Sequence, residues 1–376
     1  MEMPTTHNTS RHYKNCSSWT LKMKEVNYYP MQNSIIIGTR GSQLALWQAQ
    51  FVKEQLENTY TGLDVQFKII RTTGDAFPER SITGLGKGVF TKEIDIALLE
   101  GEIDLAVHSL KDLPTELPDG LCIAAIPIRE DPRDVLITAT GLRLEDLLNG
   151  AKVGTASPRR KAQLLGMRPD LQVVDIRGNV DTRLRKLQDS DLDAIILAAA
   201  GINRLRKTEI ITQFFEVERM VPAPGQGALA IVSRQPKVSE SHLSVARLLE
   251  PLNDQQTAAA VTAERNLLAA LGGGCQVPIG AYARYVDGGL RLISTVCHPN
   301  GALRIFESAD SRQQGEETPF QKHSGSSDSS SADSRLLTVS DSQFDTSLQQ
   351  AVHLAETVAK KLRNNGATEL LRSYKL

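Results

Sequence analysis

Short apolar runs alternate with helix-period segments over residues 34–130, and the alternation restarts after residue 134. "SIIIGT" (34–39) reads as a strand, "SQLALWQAQFVKEQLENTY" as a helix and "VQFKII" (65–70) as a second strand. A loop rich in glycine and charge (72–88) leads into a helix through "FTKEIDIALLEGE" and a strand at "IDLAVHSL". After "REDPRD" (129–134), "AKVGT", "LQVVDIR" and "DAIILAAAGI" read as strands around the helices "SPRRKAQLLGM" and "VDTRLRKLQ". Parallel strands need crossover connections, so this alternation predicts two α/β domains with largely parallel sheets, 34–130 and 131–223. By pattern alone, the strand in "APGQGALAIVSR" (223–234) fits either; we expect about 224–248 to complete the first domain.

From residue 249 the pattern changes. A helix, "TAAAVTAERNLLAAL", runs into "LGGGCQVP" (271–278), and three strand-like runs follow, separated by "DGG" and "HPNG". Residues 308–334 are polar and Ser-rich, too poor in apolar groups to fold alone, and are expected to be a dispensable disordered insertion. An amphipathic helix ending at Gly366 closes a small α+β third domain, 249–376. Residues 1–33 are basic and hydroxyl-rich with no apolar block, which argues against export and predicts a disordered extension. An organelle-transit role for 1–33 is the alternative, and a native start near Met31 would explain their composition.

The chain is 40% hydrophobic with a net charge of −1, an ordinary balance for a globular protein, and no run is long enough to span a membrane. Cys16, Cys122, Cys275 and Cys297 lie far apart with no CxxC pair, a spacing that fits reduced thiols better than a disulfide framework or a zinc site. No metal site is expected.

Charge is concentrated at 152–186, where nine Lys and Arg face three Asp. Ser157 and Pro158 make a good N-cap and first-turn pair, placing Arg159 and Arg160 at a helix start. Arg177 follows a strand and Arg183 enters the next helix, where open α/β sheets bind ligands. Arginines converging on strand ends suit a ligand with several carboxylates or phosphates. "HSLKDLP" (108–114) puts Ser109, Lys111 and Asp112 at the end of a first-domain strand, where the Asp is either a turn former or a carboxylate facing a cation. Extended basic surface and stacking aromatics, which nucleic-acid binding needs, are missing from the pattern. The glycines before Cys275 either end a helix or let something bulky approach the sulfur.

These stretches together resemble the porphobilinogen deaminase (hydroxymethylbilane synthase) family. The matches, in the family's order, are "GTRGSQLALWQ", "TTGD", "GKGVFTKE", "DLAVHSLKDLP", "VGTASPRR", "IRGNVDTRLRKL", "AIILAAAGINR", "GQGALAI", "AERNLLAALGGGCQVP" and "GAYA". The resemblance implies two domains with the fold of periplasmic binding proteins plus the small third domain. It implies a transferase of tetrapyrrole biosynthesis that joins four porphobilinogen molecules head to tail, releasing ammonia and then hydroxymethylbilane. It also implies one dipyrromethane cofactor per chain, held through a thioether at Cys275, and Asp112 as the catalytic carboxylate. The implied cofactor contacts are Ser109, Lys111, Thr155, Ser157, Arg159, Arg160, Arg183, Phe90 and, from the loop, Lys87. Arg40, Ser42, Arg177, Arg204 and Gln226 are the implied substrate contacts. Where the family often has Ser-Ser after Gly-Thr, this chain has Ala156–Ser157, one hydroxyl fewer. A cytoplasmic monomer is expected, with porphobilinogen as substrate, no nucleic-acid or membrane partner, and hand-over of product to uroporphyrinogen-III synthase. The competing reading is a non-enzymatic binding protein or regulator for an anionic ligand, which leaves Cys275 and Asp112 without a role.

Overall fold

The computed structural model describes residues 34–76, 90–235, 242–272, 277–314 and 341–373. The expected N-terminal extension, the start near Met31, Lys87, Cys275 and most of the Ser-rich insertion lie outside them.

The first lobe begins with β1 (Ser34–Thr39), α1 (Gln43–Thr59), β2 (Asp64–Ile69), the short α2 (Thr73–Ala76), α3 (Lys92–Leu99), β3 (Leu105–Ser109) and β4 (Leu121–Ala125). Ser42 starts α1, its Oγ accepting the Ala45 N–H at 3.3 Å. The second lobe comprises β5 (Asp134–Thr138), β6 (Lys152–Gly154), α4 (Pro158–Met167), β7 (Gln172–Val174), α5 (Val180–Asp189), β8 (Ala194–Ala198), α6 (Ala199–Arg204) and β9 (Gln213–Phe214). The chain then returns to the first lobe with β10 (Leu229–Arg234) and α7 (His242–Leu249).

Both sheets have five strands, in the order β2-β1-β3-β10-β4 and β7-β6-β8-β5-β9. Four strands run parallel in each, and the fourth in order is antiparallel to both neighbours. That exception follows from the connectivity: β5 is entered directly from the first lobe and β10 directly from the second. The two crossovers touch. Glu130 N–H donates to Gly227 O at 3.2 Å, and Gln226 Nε2 to Pro132 O at 2.7 Å. Gly227, at φ +89°, makes this approach possible, because a Cβ there would lie 2.3 Å from the Glu130 carbonyl oxygen.

The third domain contains α8 (Gln255–Ala270), β11 (Ile279–Val286), β12 (Gly289–Cys297), β13 (Arg304–Asp310), α9 (Asp341–Asn364) and α10 (Ala367–Ser373), with an antiparallel sheet in the order β11-β12-β13. Residues 308–310, placed by composition in the polar insertion, instead finish β13: Ala309 pairs with Leu292 and is 9% exposed. Cross-strand pairing to an apolar partner overrides the local polarity there. Gly366, at φ +91°, ends α9 as expected, but the helical path resumes at once in α10. α8 is buried nearly all round. Ala258 and Val261 pack into the first lobe's core, while Ala260, Ala263 and Leu267 pack into the third domain's. Small residues on every side let one helix serve two cores. Cys297 is a buried free thiol, whereas Cys122 is disulfide-bonded, contrary to the reading of all four as reduced.

Among the described residues no helix is long and apolar enough to cross a membrane, and no His, Cys, Asp and Glu cluster could hold a metal ion.

Candidate active site

The candidate residues leave the carboxyl ends of parallel strands in both lobes, where open α/β sheets present their ligand sites. Arg40 and Ser42 follow β1; Ser109, Lys111 and Asp112 end or follow β3; Thr155 and Ser157 follow β6; Arg177 follows β7; Arg204 ends the helix after β8. The structure brings the two lobes' groups within electrostatic reach. The Asp112 charge acts on Lys111 beside it and on Arg160 and Arg183 of the other lobe.

Arg159 and Arg160 are 4% and 5% exposed, and both grip Asp134, which is fully buried at the head of β5. Arg159 Nη1 lies 2.6 Å from one Asp134 oxygen, and Arg160 Nε and Nη2 lie 2.9 and 2.8 Å from the other. Gln226 Nε2 adds a bond to Asp134 at 2.9 Å, and its Oε1 accepts Lys111 Nζ at 3.4 Å. Burial raises the Asp134 pKa, but the two guanidiniums outweigh it and hold the carboxyl well below the usual range. Arg159 and Arg160 are thus anchored within the lobe. Two cations share one anion, leaving a net positive charge, and Arg159 Nε is buried with no hydrogen-bond partner.

Arg183 and Arg204 are different. Arg183 Nε donates to Gly178 O at 2.8 Å, and Arg204 Nη2 to Gly227 O at 2.7 Å; neither forms a salt bridge among the described residues. Burial pushes each guanidinium down to about 10, with Arg160 adding to the effect at Arg183 and Glu130 opposing it at Arg204. Arg204 also lies over the Trp47 ring of α1, 5.7 Å from its centroid, so it bridges the lobes. Arg177 is partly exposed and forms no ion pair among the described residues.

In the first lobe, Arg40 is held by Asp75, with Nε 3.1 Å from Oδ2, and lies 4.3 Å above the Phe90 ring. Asp75 is set in turn by the Thr72 hydroxyl at 2.8 Å; despite partial burial these bonds lower its pKa. A side chain at Gly74 would collide with Phe90, its Cβ 2.1 Å from a ring carbon. The hydroxyl candidates are committed to local geometry. Ser157 Oγ caps α4 by accepting the Arg160 N–H, Thr155 Oγ1 accepts the Ser157 N–H at 3.2 Å, and Ser109 Oγ accepts Gln48 Nε2 at 2.9 Å. Asp112 is exposed on a turn just after β3, between the buried Leu110 and Leu113.

Sequence reasoning missed Asp134 and Asp75, the acids that orient three of the arginines. It also missed Glu264, a fully buried acid of α8 that takes Arg129 at 2.6 Å, the Gly225 N–H at 2.6 Å and the Ala283 N–H at 2.7 Å. One signal was available: a lone Asp heading the apolar run "DVLIT" implies a buried partner.

These features define a two-lobed α/β protein whose strand ends gather cationic side chains, with the exposed carboxylate Asp112 within electrostatic reach of Arg160 and Arg183. Comparison with known proteins narrows the class. The family model "Porphobilinogen deaminase, dipyromethane cofactor binding domain" matches residues 35–241, and "Porphobilinogen deaminase, C-terminal domain" matches 258–321. The porphobilinogen deaminase of Syntrophomonas wolfei is 48% identical over 275 residues, covering 73% of this chain and 88% of that protein. That of Desulforudis audaxviator is 50% identical over 281 residues, covering 74% and 89%. Among solved structures, the methionine binding protein MetQ overlaps 57% of this chain and 89% of its own at 14% identity and a TM-score of 0.36. The chain belongs to the porphobilinogen deaminase family. It is a transferase of tetrapyrrole biosynthesis with a dipyrromethane cofactor, and the non-enzymatic reading is not favoured.

Proposed function

We propose that Cys275 holds the dipyrromethane through a thioether and that porphobilinogen units are joined to it, head to tail, in the cleft between the lobes. The observation that carries this reading is the pair Arg183, half-buried, and Arg204, buried, guanidiniums with no salt bridge among the described residues. A buried cation left unpaired costs stability unless a ligand anion completes it. Each pyrrole ring of this chemistry carries an acetate and a propionate, so the donor set, with the orphaned Arg159 Nε, fits a pyrrole pair. When bound, the dipyrromethane supplies a tethered, electron-rich pyrrole to which the first substrate unit is joined.

The chain's own residues supply the rest. Arg183, Arg204, Arg177 and Lys111 hold ring carboxylates, and Arg40, kept flat by Asp75 and Phe90, presents its remaining N–H groups to the substrate. Arg159 and Arg160, fixed by Asp134, provide a preorganised positive field in the lobe opposite Asp112. Asp112 stabilises the cation left on porphobilinogen when its aminomethyl nitrogen departs as ammonia, and can accept a pyrrole proton afterwards. Gln226 spans Asp134 and Lys111, coupling the crossover to the floor of the cleft. Four additions and hydrolysis release hydroxymethylbilane. The same reading makes the protein a cytoplasmic monomer that passes its linear product to the ring-closing uroporphyrinogen-III synthase.

Cys275→Ser tests the reading. A serine hydroxyl is nearly isosteric with the thiol but far less nucleophilic, so the variant should fold, lack the mass of two pyrrole units, and lose both the Ehrlich colour and activity. In the wild-type protein the extra mass should localise to the peptide containing Cys275. A wild-type enzyme that is fully active at its bare sequence mass would falsify the assignment.

A further inference from the structure

We infer that Arg265 is a positioning residue for Asp112, acting through the backbone of the turn that carries it. Arg265 is 3% exposed on α8, and its guanidinium reaches out of that helix into the first lobe. Nη2 donates to Pro114 O at 2.5 Å and Thr115 O at 3.2 Å; Nη1 lies 3.4 Å from Leu113 O and 3.5 Å from Leu110 O. Carbonyls of the segment 110–115 thus converge on one cation.

The turn needs such a donor. β3 ends at Ser109, and the Leu110–Asp112 turn is closed by a single bond, Leu113 N–H to Leu110 O at 3.2 Å. Buried carbonyls at the end of a helical turn require donors from elsewhere. On its entering side the turn is tied to β10's approach, Leu110 N–H donating to Ala228 O at 3.0 Å. On its leaving side Arg265 supplies the tie. A planar guanidinium can serve several carbonyls at once, which an ammonium cannot do with the same geometry. Asp112 sits between these two ties, so the backbone that carries its carboxylate is held on both sides.

α8 makes this tie informative about the reaction. Glu264, the preceding residue, binds Arg129 of one crossover and the Gly225 N–H of the other. Five residues beyond the end of α8 comes Cys275. Arg265 therefore links the Asp112 turn to the helix that leads to the cofactor cysteine. The inference rests on the assignment of Asp112 to the reacting centre.

A double-mutant cycle tests it, using cofactor-loaded enzymes checked by intact mass: wild type, Arg265→Met, Asp112→Asn and the double variant. A displacement of about 1 Å at a reacting group can cost roughly a hundredfold, so Arg265→Met should lower kcat about 10- to 100-fold, with KM changed by less than about threefold. Asp112→Asn should lower kcat by about two to three orders of magnitude, and the double variant should be no slower than Asp112→Asn alone. Hydrogen exchange in the peptide spanning Leu110–Thr115 should speed up in Arg265→Met and stay unchanged in Asp112→Asn. Arg265→Lys should recover part of the loss, and the cycle is run with it if the Met variant does not fold. Multiplying losses in the double variant, or unchanged exchange at 110–115, would overturn the positioning role while leaving Asp112 in place. Near-normal turnover by Asp112→Asn would instead overturn the Asp112 assignment, and the inference with it.

Discussion

The two five-stranded sheets share one strand order, yet the residues that leave their strand ends divide the chemistry unequally. The first lobe offers an exposed acid, Asp112, with Lys111 beside it, and an arginine, Arg40, already met by Asp75. The second lobe ties Arg159 and Arg160 to a single buried acid, Asp134, and sets Arg177 and Arg183 near them with no acid partner among the described residues. A duplicated scaffold therefore does not duplicate function. On the proposed reading, one lobe holds the anion and the other brings the carboxylate that acts on the cation formed there. Within the second lobe a further division appears: Arg159 and Arg160 are tied into the lobe's own structure, while Arg183 is held by a backbone carbonyl with no acid partner among the described residues.

The largest effect should come from removing the internal acid. Asp134→Asn keeps the shape but leaves Arg159 and Arg160 buried without their counter-charge. Breaking such a pair from one side costs about 3–5 kcal/mol, so urea unfolding should show a large loss of stability with activity falling in parallel. A variant that kept wild-type stability would mean the two arginines are held chiefly by Val221 O and Ile196 O, which they also contact at 2.8 and 3.0 Å.

Arg183→Met sharpens the contrast. With no acid to orphan, its loss should leave the melting temperature unchanged or slightly higher, because the native state no longer holds a half-buried cation pushed down to about 10. Hydrogen bonds to charged groups contribute about 1.5–3 kcal/mol, so KM should rise by roughly one to two orders of magnitude if this residue holds a substrate carboxylate. A stability loss like that of Asp134→Asn, with KM unchanged, would erase the distinction between structural and ligand-binding arginines.

Much of this division was legible in the sequence, because strand-end residues can be placed once the strand and helix periods are assigned. Ser157–Pro158 announced the start of α4, and Asp112 and Arg177 were placed just beyond strands, where the structure has them. What stayed hidden depended on contacts across the chain. Asp134 meets Arg159 and Arg160 only after β5 inserts antiparallel beside β8, and no local pattern announces that pairing. Arg265 looks like one more charge on an Ala-rich helix until the Leu110–Thr115 carbonyls close around it. Residues 308–310 read as loop because their composition is polar, yet the pairing of Ser308 with Ile293 and of Ala309 with Leu292 holds them in β13.

The smallest expected effect lies at the seam between the lobes and has two opposite signs. Burial pushes the Lys111 ammonium down to about 8; Asp112 and Asp134 oppose this, while Arg160 and Arg159 reinforce it. Below about 8 the side chain is protonated in both native and unfolded chains, so its contribution to stability does not vary with pH. Between about 8 and the unfolded value of 10.5, the unfolded chain binds the extra proton, and this group makes stability rise with pH. Carboxylate binding moves the other way, because deprotonation removes a cation from the cleft. In the free enzyme kcat/KM should therefore fall as pH passes about 8, and at saturating substrate the break should shift upward as bound carboxylates favour the ammonium. Lys111→Met should flatten both trends, with kcat/KM at pH 7 lower by roughly tenfold, about the worth of one charge-assisted hydrogen bond. If the variant keeps the alkaline fall in kcat/KM, another group controls it, and Lys111 belongs with Arg159 and Arg160 as part of the scaffold.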